Sequence, residues 1–298
     1  MSAENVDIEE KIDSNRPVGC RSTNIRKLTD EEYNCLYSED EQKKQIVSTF
    51  KQNQYEINAR KHWDQFYKRN TTKFFKDRHW TLQEFEQEFN PKNEEERLIL
   101  FEIGCGTGNF IFPLVEQLPK LYVYACDFSS RAIQLVKSNE YYDTKRICAF
   151  VCDLTADNCC DIFHENIREQ VDIVSMVFVL SAIHPDKMKQ VLNNVYNVLK
   201  PNGCILFRDY GLHDYAMLRF SKQRQHKLEN NFYVRQDGTR AYFFSLNYIE
   251  ELFQSSNFDI LENCYIFKDT INIKENVCVP RVFVQGKFRK KTINSQLP

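Results

Sequence analysis

The stretch that decides the fold is Phe101–Asn109, with the sequence FEIGCGTGN. The apolar run Leu98–Ile103 leads into it and the apolar segment Phe110–Leu118 follows, which predicts a strand that turns directly into a helix. Three of the chain's eight glycines lie in this stretch. Such a turn requires positive φ angles and a backbone that a ligand can approach closely. A plain strand–helix turn and a dinucleotide site both explain these glycines, although a dinucleotide fingerprint has Gly or Ala at its sixth position, where this chain has Asn109.

Strands and helices alternate downstream of this loop. The further predicted strands are Leu121–Ala125, Ile147–Val151, Val171–Leu180, Cys204–Phe207, Ile260–Phe267 and Val282–Phe288, and the further predicted helices are Ser129–Ser138, Asp186–Leu199 and Leu246–Ser255. The almost wholly apolar run at 171–180 is typical of the middle of a parallel sheet. We expect the last two strands to pair antiparallel. The pattern predicts an α/β fold with a mostly parallel seven-stranded sheet, interrupted by a Tyr/Phe/Arg-rich insert at about 211–244.

Two acidic residues follow predicted strands in positions that suit a nucleoside. Asp127 comes roughly 20 residues after the loop, where a carboxylate can bind ribose hydroxyls. Asp153 ends the third predicted strand. Either acid alone is also compatible with a helix cap, since Asp127 directly precedes Phe128 and Ser129. Both acids and the glycine loop, in this order, favour a bound nucleoside.

Composition excludes several classes of protein. The 298 residues are 28% charged and 42% hydrophobic, with a net charge of −2, which argues against a uniformly basic nucleic-acid binder but allows a local basic patch. The acidic N-terminal sequence predicts no signal peptide, and no run of about 18 apolar residues predicts a membrane span. We therefore expect an intracellular protein, in the cytoplasm or also in the nucleus. The eleven cysteines include no Cys-x-x-Cys pair, so we expect reduced thiols and no metal.

The N-terminal part of the chain changes its charge along its length. Residues 1–28 form an acidic tail that we expect to be disordered. From Lys43 to Trp80 there are ten Lys and Arg against three Asp and Glu, interleaved with aromatic residues. The spacing of Ile57, Trp63, Phe66 and Tyr67 predicts a helix with an apolar side. A second helix is predicted to start at Thr81, with Glu84 completing a capping box, and Asn90–Arg97 is predicted to be a linker.

Four segments point to a particular family. They are WDQFY at 63–67 with FFKDRHW at 74–80, FRDYG at 207–211, NFYVRQDGTR at 231–240 and CVPRVF at 278–283. These resemble the eukaryotic tRNA 3-methylcytidine methyltransferases, the methyltransferase-like two/six/eight group, and the last segment is most similar to the six branch. The resemblance extends from about Thr29 to the C-terminus.

The resemblance implies the fold, the cofactor and the partners. It implies a class I, Rossmann-like methyltransferase domain at 97–290, an N-terminal helical tRNA-binding and cofactor-lid region at 29–96, and a tail at 291–298. It implies S-adenosyl-L-methionine as cofactor, cytidine 32 of serine tRNAs as substrate and seryl-tRNA synthetase as partner. We expect a monomer outside that complex.

The expected cofactor residues follow from the loop, the acids and the resemblance. They are Trp63, Tyr67, Glu102, Gly104, Gly106, Gly108, Asp127, Asp153, Leu154 and Val177. The loop is expected to pass under the amino-acid part of the cofactor, Asp127 to bind the ribose and Asp153 the adenine. The resemblance implies that Trp63 and Tyr67 close over the cofactor as a lid.

Cations beside aromatic rings suit RNA loops, in which unstacked bases meet aromatic platforms. The expected RNA contacts are Lys68, Arg69, Lys76, Arg78, His79, Arg235 and Arg240. The alternative is that these aromatic residues form a small helical core and that the charges form a solvated face.

The expected catalytic residues are Asp209, Arg208 and Tyr210. Cytosine N3 carries a lone pair, so catalysis needs positioning and stabilisation of the positive charge that develops on the ring. Asp209 would face the N4 and N3 edge of the base, or else form an ion pair with Arg208 or cap the next turn. Arg208 would bond O2 or a phosphate, and Tyr210 would stack. His184 is interpreted either as a substrate residue or as the start of the helix at Pro185.

Three other functions compete with this interpretation. A methyltransferase of the same fold could act on a small molecule or a protein side chain, in which case residues 43–80 would be dispensable for substrate binding. A non-catalytic RNA-binding adaptor would not need the intact loop with Asp127 and Asp153. A nicotinamide oxidoreductase is disfavoured by Asn109.

Overall fold

The computed structural model describes residues 19–90, 97–272 and 277–292. Residues 1–18 of the predicted N-terminal tail, 91–96 of the predicted linker and 293–298 of the predicted C-terminal tail lie outside the described residues. No helix in the described ranges is long and apolar enough to cross a membrane.

The strands form one large sheet and one small sheet. They are β1 (Cys20–Ser22), β2 (Leu98–Ile103), β3 (Leu121–Asp127), β4 (Ile147–Val151), β5 (Val171–Val177), β6 (Leu199–Tyr210), β7 (Lys227–Glu229), β8 (Phe232–Val234), β9 (Arg240–Tyr242), β10 (Phe258–Asn272) and β11 (Val277–Lys290). The large sheet has the order β1-β10-β11-β6-β5-β2-β3-β4. Strands β6, β5, β2, β3 and β4 run parallel to one another, and β11, β10 and β1 add antiparallel pairs. The predicted mostly parallel α/β sheet and the antiparallel final pair are confirmed.

Helices cover the sheet and build the N-terminal region. They are α1 (Asp30–Tyr37), α2 (Glu39–Gln45), α3 (Thr49–Ile57), α4 (Ala59–Asn70), α5 (Trp80–Glu84), α6 (Glu86–Phe89), α7 (Ile111–Gln117), α8 (Ser130–Lys137), α9 (Cys159–Asn166), α10 (Pro185–Val198), α11 (Tyr215–Ser221) and α12 (Leu246–Gln254). A short 3-10 helix spans Leu180–Ala182. Helix α9 was not among the predicted elements.

The core lies on both faces of the parallel strands. Side chains alternate between the two faces along each strand, so Phe101 and Phe207 pack in one apolar layer while Leu100 and Leu206 pack in the other. Strand β5 lies between β2 and β6, so both of its faces are covered, which explains its apolar sequence. The core therefore fixes the strand ends that carry the site.

The predicted helix around Trp63 is confirmed as α4. Phe66 and Tyr67 are each 5% exposed, and they pack against Ala132 of α8. The alternative of a small helical core is therefore right for these two rings, whereas Phe74 is 54% exposed. Helix α4 is consequently anchored to the α/β domain beside the glycine loop.

Two predictions about where structure begins were wrong, one for the N-terminal tail and one for α5. Disorder was predicted as far as residue 28, but Cys20–Ser22 pairs antiparallel with β10, and Arg21 binds Glu84 and Glu262. The large sheet therefore has eight strands among the described residues, one more than predicted. Thr81 does not cap α5, since the helix begins at Trp80 and the Thr81 hydroxyl donates to the carbonyl of Arg78 at 2.8 Å.

The insert consists of α11 and the small sheet β7-β8-β9. It packs against the N-terminal helices as well as against the sheet. The amide of Val47 donates to the carbonyl of Lys227 at 2.8 Å. At the predicted turn, a Cβ on Gly238 would lie 2.3 Å from Nδ1 of His62 in α4, so this position requires glycine. The insert and α4 thus meet beside the site.

Candidate cofactor and substrate site

The site lies at the carboxyl ends of the parallel strands, where the strand order reverses between β2 and β5. Ligands of open α/β sheets bind in the crevice at such a point. A cavity opens there against α4. Its lining includes Glu56, Trp63, Tyr67, Gly104, Asp127, Phe128, Asp153, Leu154, Thr155, Phe178, Val179, Ile183, His184, Lys187 and Arg240. Six of the ten expected cofactor residues are therefore brought together at one cavity.

The glycine loop connects β2 to α7 with left-handed backbone angles. Gly104 has φ 62°, Gly106 φ 54° and Gly108 φ 88°, a region that glycine adopts without strain. A Cβ on Gly106 would lie 3.0 Å from the Tyr67 hydroxyl. The absence of a side chain therefore lets the ring of α4 approach the loop directly.

Asp127 ends β3 and holds the loop. Its Oδ2 accepts from the amide of Gly106 and its Oδ1 from the amide of Ser129, both at 2.9 Å. Burial raises the pKa of Asp127 to about 6, while these amide bonds oppose the rise. A carboxylate has about four lone-pair sites, so Asp127 can still accept from a ligand. The expected ribose contact stays a prediction.

The adenine end was expected at Asp153, Leu154 and Val177. Asp153 Oδ1 accepts from the amide and the hydroxyl of Thr155, at 2.9 and 2.8 Å. Asn194 of α10 donates to the carbonyl of Leu154 at 3.2 Å, which fixes this loop. Val177 differs from expectation: it is 3% exposed and packs in the core, and Phe178 and Val179 line the cavity instead.

Glu102 places a buried carboxyl group beneath the loop. It is 2% exposed, and its Oε2 has no hydrogen-bond partner among the described residues. Burial raises its pKa to about 8, while Arg78 opposes the rise and Asp127 adds to it. A buried carboxylate with an orphaned oxygen needs a cation or a donor. The ammonium of S-adenosylmethionine would satisfy it, so the site fits the expected cofactor.

The expected lid residues lie on one wall of the cavity. Trp63 and Tyr67 are stacked at 5.8 Å between ring centroids. The neighbouring Asp64 accepts from the hydroxyl of Ser129, which caps α8. The two rings therefore face the cavity from a helix that is fixed at its middle.

Arg240 binds other residues of the chain at the cavity rim. It is 5% exposed, it forms an ion pair with Glu56, and its Nη2 donates to the carbonyl of Ala182 at 3.2 Å. Glu56 also binds Nζ of Lys187 at 2.6 Å. Arg240 is thus not exposed to solvent, contrary to the expected RNA contact, because its ion pair with Glu56 connects the insert to α3.

Asp209 lies inside β6 rather than after it. It has no exposed surface, and its two oxygens accept from the amides of Ser181 and Tyr210 at 2.9 Å each. Burial raises its pKa to about 6, and these hydrogen bonds oppose the rise. The carboxylate thus anchors the 3-10 helix that follows β5. Its catalytic role stays a prediction, and an ion pair with Arg208 is not formed.

Arg208 points to the other face of the sheet, because neighbouring side chains of a strand alternate. Its guanidinium lies 4.1 Å from the ring centroid of Trp80, and its Nε and Nη2 have no hydrogen-bond partner in the part of the chain that the structure describes. Burial lowers its pKa to about 10. Arg208 is therefore not brought to the cavity, contrary to expectation.

Tyr210 belongs to a cluster of three aromatic rings, one just after β5, one at the end of β6 and one within β11. Its ring lies 5.0 Å from that of Phe178 and 6.3 Å from that of Phe283. The guanidinium groups of Arg235 and Arg281 lie 5.6 and 5.9 Å from the Tyr210 ring. We call Phe178, Tyr210 and Phe283 the aromatic cluster. This location is compatible with the expected stacking role of Tyr210 and with the expected RNA contact of Arg235.

Phe178 was missed by the sequence analysis, although it joins the two parts of the site. It lines the cavity and belongs to the aromatic cluster. Its φ is 61°, which is strained for a bulky residue and is typical of functional sites. The amide of Phe178 donates to the carbonyl of Arg208 at 2.8 Å, which holds this conformation. The one available signal was its place after an apolar strand.

The remaining expected RNA residues lie mostly on the surface. Lys68, Arg69, Lys76 and His79 are exposed. A groove beside the cavity is lined by Ile57, Arg60, Lys61, Asp64, Gln65, Lys68 and Arg131. Arg69 lies 3.8 Å from Asp237 of the insert. Arg78 is an exception, since it lies inward against Val177 and Phe178.

His184 starts the helix at Pro185, as one of its two interpretations predicts, and it also lines the cavity. It caps α10, and its Nδ1 accepts from the amide of Asp186 at 3.4 Å. It also lines the cavity, so the sequence alternatives do not exclude each other.

The cysteines form no disulfides. All eleven cysteines are free, and no group of three or more metal-ligating side chains occurs among the described residues. Cys152 and Cys159 lie with their sulfurs 3.8 Å apart in the core behind the adenine end.

Comparisons with known proteins agree with this geometry. A methyltransferase domain model matches residues 101–205. Human tRNA N(3)-cytidine methyltransferase METTL6 is 52% identical over 264 residues, which covers 87% of this chain and 91% of the relative. Zebrafish tRNA N(3)-cytidine methyltransferase METTL2 is 37% identical over 273 residues, which covers 80% of this chain and 76% of the relative.

A solved structure supports the fold alone. The SAM-dependent methyltransferase from Anabaena variabilis is 18% identical, with a TM-score of 0.59, and covers 78% of this chain and 96% of the other. The glycine loop, the switch-point cavity and the identity over most of the chain lead to one conclusion: the chain belongs to the family of S-adenosylmethionine-dependent tRNA N(3)-cytidine methyltransferases.

Proposed function

We propose that this chain methylates N3 of cytidine in tRNA, at position 32 of the anticodon loop of serine tRNAs. The observation that carries the proposal is the position of Phe178. Its ring borders the cofactor cavity on one side and contacts Tyr210 and Phe283, the other two rings of the aromatic cluster, on the other. A flat base that stacks in this cluster would therefore meet the cofactor at its reactive end.

The chemistry requires positioning more than proton transfer. When bound, S-adenosylmethionine supplies an electrophilic methyl group. Cytosine N3 carries an in-plane lone pair in the neutral base, so no side chain needs to remove a proton first. The residues of the chain must hold N3 in line at a near-attack distance and offset the positive charge that the ring acquires. Asp209, buried next to Tyr210, would act through its field, since both of its oxygens already accept backbone hydrogen bonds.

A tRNA substrate is favoured over a small molecule by the surface next to the cavity. The target base must leave its stack to reach the aromatic cluster, and RNA loops present such bases. The groove with Arg60, Lys61, Lys68 and Arg131 adjoins the cavity, and Ile57 and Arg60 line both. Four cations in one groove suit a phosphate backbone.

The finer parts of the proposal rest on similarity. The 52% identity to human METTL6 and the CVPRVF segment support the six branch, and with it serine tRNAs and seryl-tRNA synthetase as partner. We also propose that the chain is a monomer outside that complex and acts in the cytoplasm or the nucleus. Light scattering of the purified chain with and without the synthetase tests the first point, and cell fractionation tests the second.

The deciding experiment is methylation of defined transcripts. The protein is incubated with labelled S-adenosylmethionine and a serine tRNA transcript, with and without seryl-tRNA synthetase, and nucleosides are identified by mass spectrometry. We expect 3-methylcytidine in the native transcript and none when cytidine 32 is replaced by uridine. Methylation elsewhere would refute the position. Cofactor binding without methylation of any tRNA would favour the adaptor or the small-molecule alternative.

A further inference from the structure

The corner between α3 and α4 covers one edge of the cavity. This corner consists of residues 56–60, and four of its five residues line the cavity: Glu56, Ile57, Ala59 and Arg60. Helix α3 has no buried residue, and Ile57 is 75% exposed. Segments with few buried apolar contacts open at a lower free energy than the core. How firmly the corner is closed therefore depends on its polar contacts.

Glu56 connects the corner to two other parts of the cavity wall. Its Oε1 lies 2.6 Å from Nζ of Lys187 in α10, and its Oε2 forms an ion pair with the guanidinium of Arg240 in β9. Arg240 in turn donates to the carbonyl of Ala182, in the 3-10 helix after β5, at 3.2 Å. All four residues line the cavity. We call the two ion pairs of Glu56 the rim bridge, since they join the N-terminal helices, α10 and the insert at the cavity rim.

The chain is anchored on both sides of the corner. Before it, the side-chain amide of Gln52 donates to the carbonyl of Leu228 at 2.9 Å, and Tyr55 packs partly buried against the core. After it, the hydroxyl of Ser129 donates to the carboxylate of Asp64. The corner can therefore lift while the chain on either side stays attached, and the rim bridge opposes this movement.

We propose that the rim bridge is a latch: S-adenosylmethionine enters and S-adenosylhomocysteine leaves when the corner lifts, and Glu56 is the positioning residue that keeps the corner closed. Trp63 and Tyr67 line the cavity from the same side as the corner, so a closed corner completes the cover over a bound cofactor. Exchange in both directions then requires the two ion pairs to break. Opening steps of this kind set the turnover rate of many enzymes. The latch concerns cofactor exchange and does not depend on which RNA base is methylated.

The test measures the rates at which S-adenosylhomocysteine binds and dissociates, without tRNA. Stopped-flow fluorescence follows binding, because Trp63 lies in the cavity wall. The ligand is a zwitterion without net charge, so added salt acts on the protein's ion pairs more than on the ligand's attraction to the site. The variant is Glu56→Gln, which keeps the shape of the side chain. The matched control is Glu41→Gln, whose ion pair with Lys44 has the same 2.6 Å distance but lies on the exposed surface of α2.

For Glu56→Gln we expect the association and dissociation rate constants to rise together by about 10- to 100-fold, because charge-assisted hydrogen bonds are lost. Their ratio, the equilibrium affinity, should change much less than either rate. Lys187→Gln keeps the pair with Arg240 and should give intermediate rates, and Glu41→Gln should match the wild type. Raising potassium chloride from about 0.05 to 0.5 M screens partly exposed ion pairs, so it should speed both rates in the wild type but not in Glu56→Gln.

Three results would overturn the inference. Unchanged rates in a folded Glu56→Gln variant would show that the corner does not control exchange. A faster dissociation with an unchanged association would make the rim bridge a contribution to affinity and not a latch. If Glu56→Gln failed to fold, as judged by circular dichroism, wild-type rates that do not respond to salt would be sufficient to refute the latch. None of these measurements uses tRNA, so a failure of the proposed tRNA methylation is a separate outcome.

Discussion

Replacing Asp209 by asparagine tests whether this residue acts in catalysis or in structure. Oδ1 and Oδ2 each accept one backbone amide, from Tyr210 and Ser181, in a position without exposed surface. Asparagine offers one oxygen and one NH2 group, so one buried amide loses its acceptor and faces another donor. Leaving a buried donor unsatisfied costs about 1–3 kcal/mol. We expect Asp209→Asn to lower the free energy of unfolding by that amount.

The effect on catalysis is measured separately from stability. Urea unfolding at pH 7.5 gives the free energy, and single-turnover methylation of a serine tRNA transcript gives the rate, with cofactor affinity measured on the same sample. Asp161→Asn, in the exposed first turn of α9, is the matched control and should change neither. Loss of a positioned charge lowers rates by about 10²–10³, and we expect a loss in that range for Asp209→Asn.

The combination of results separates the two roles. A stability loss with a nearly normal rate would assign Asp209 to the anchoring of Ser181 alone. A slow variant with unchanged stability would contradict the hydrogen bonding described above, because no buried amide could then have lost its acceptor.

Three further predictions follow from the site. Burial raises the pKa of Glu102 to about 8, and a cationic ligand favours its ionised form. Cofactor affinity should therefore rise from pH 6.5 to 8.5, and binding should release a proton. Calorimetry in two buffers of different ionisation enthalpy measures this release, and the affinity of Glu102→Gln should not change with pH. Charge reversal at Lys68, Arg69 and Lys76 should weaken tRNA binding and reduce its salt dependence while cofactor affinity stays the same; unchanged binding would mean a merely solvated face. Phe178→Leu should raise KM for tRNA about 10- to 100-fold, since stacking on one ring contributes about 1–3 kcal/mol; equal effects of Tyr141→Leu, an exposed ring in the turn after α8, would refute it.

The sequence predicted those parts of the site that follow from the fold. Strand β2 and strand β4 have the predicted bounds. Asp127 and Asp153 lie at the carboxyl edge because Asp127 is the last residue of β3 and Asp153 comes two residues after β4. Predicting where these two acids lie did not require knowing which side chains contact them. Apolar periodicity determines where a parallel strand ends, and the switch point determines which ends form the crevice.

The sequence did not predict what each arginine contacts. Arg78, Arg208 and Arg240 were all assigned to RNA or to catalysis, and each is turned inward: against Val177, against Trp80 and against Glu56, respectively. A basic residue in an aromatic-rich segment has the same local pattern whether its partner is a phosphate or a carboxylate 184 residues away, as for Arg240 and Glu56. Such pairings depend on tertiary packing, which the local sequence does not contain.

Phe178 shows why a site can depend on a residue that sequence patterns hide. The apolar run from Val171 to Leu180 predicted one continuous strand, but β5 ends at Val177, since a residue with φ 61° cannot continue a strand. This turn directs Phe178 to the aromatic cluster and brings Val179 against the glycine loop, where a Cβ on Gly104 would lie 2.6 Å from its Cγ2. Gly104 and the turn at Phe178 therefore depend on each other, because neither a side chain at 104 nor a straight strand at 178 would leave this arrangement possible. The strain at Phe178 is held by the packing around it, which is expected where backbone geometry serves a ligand.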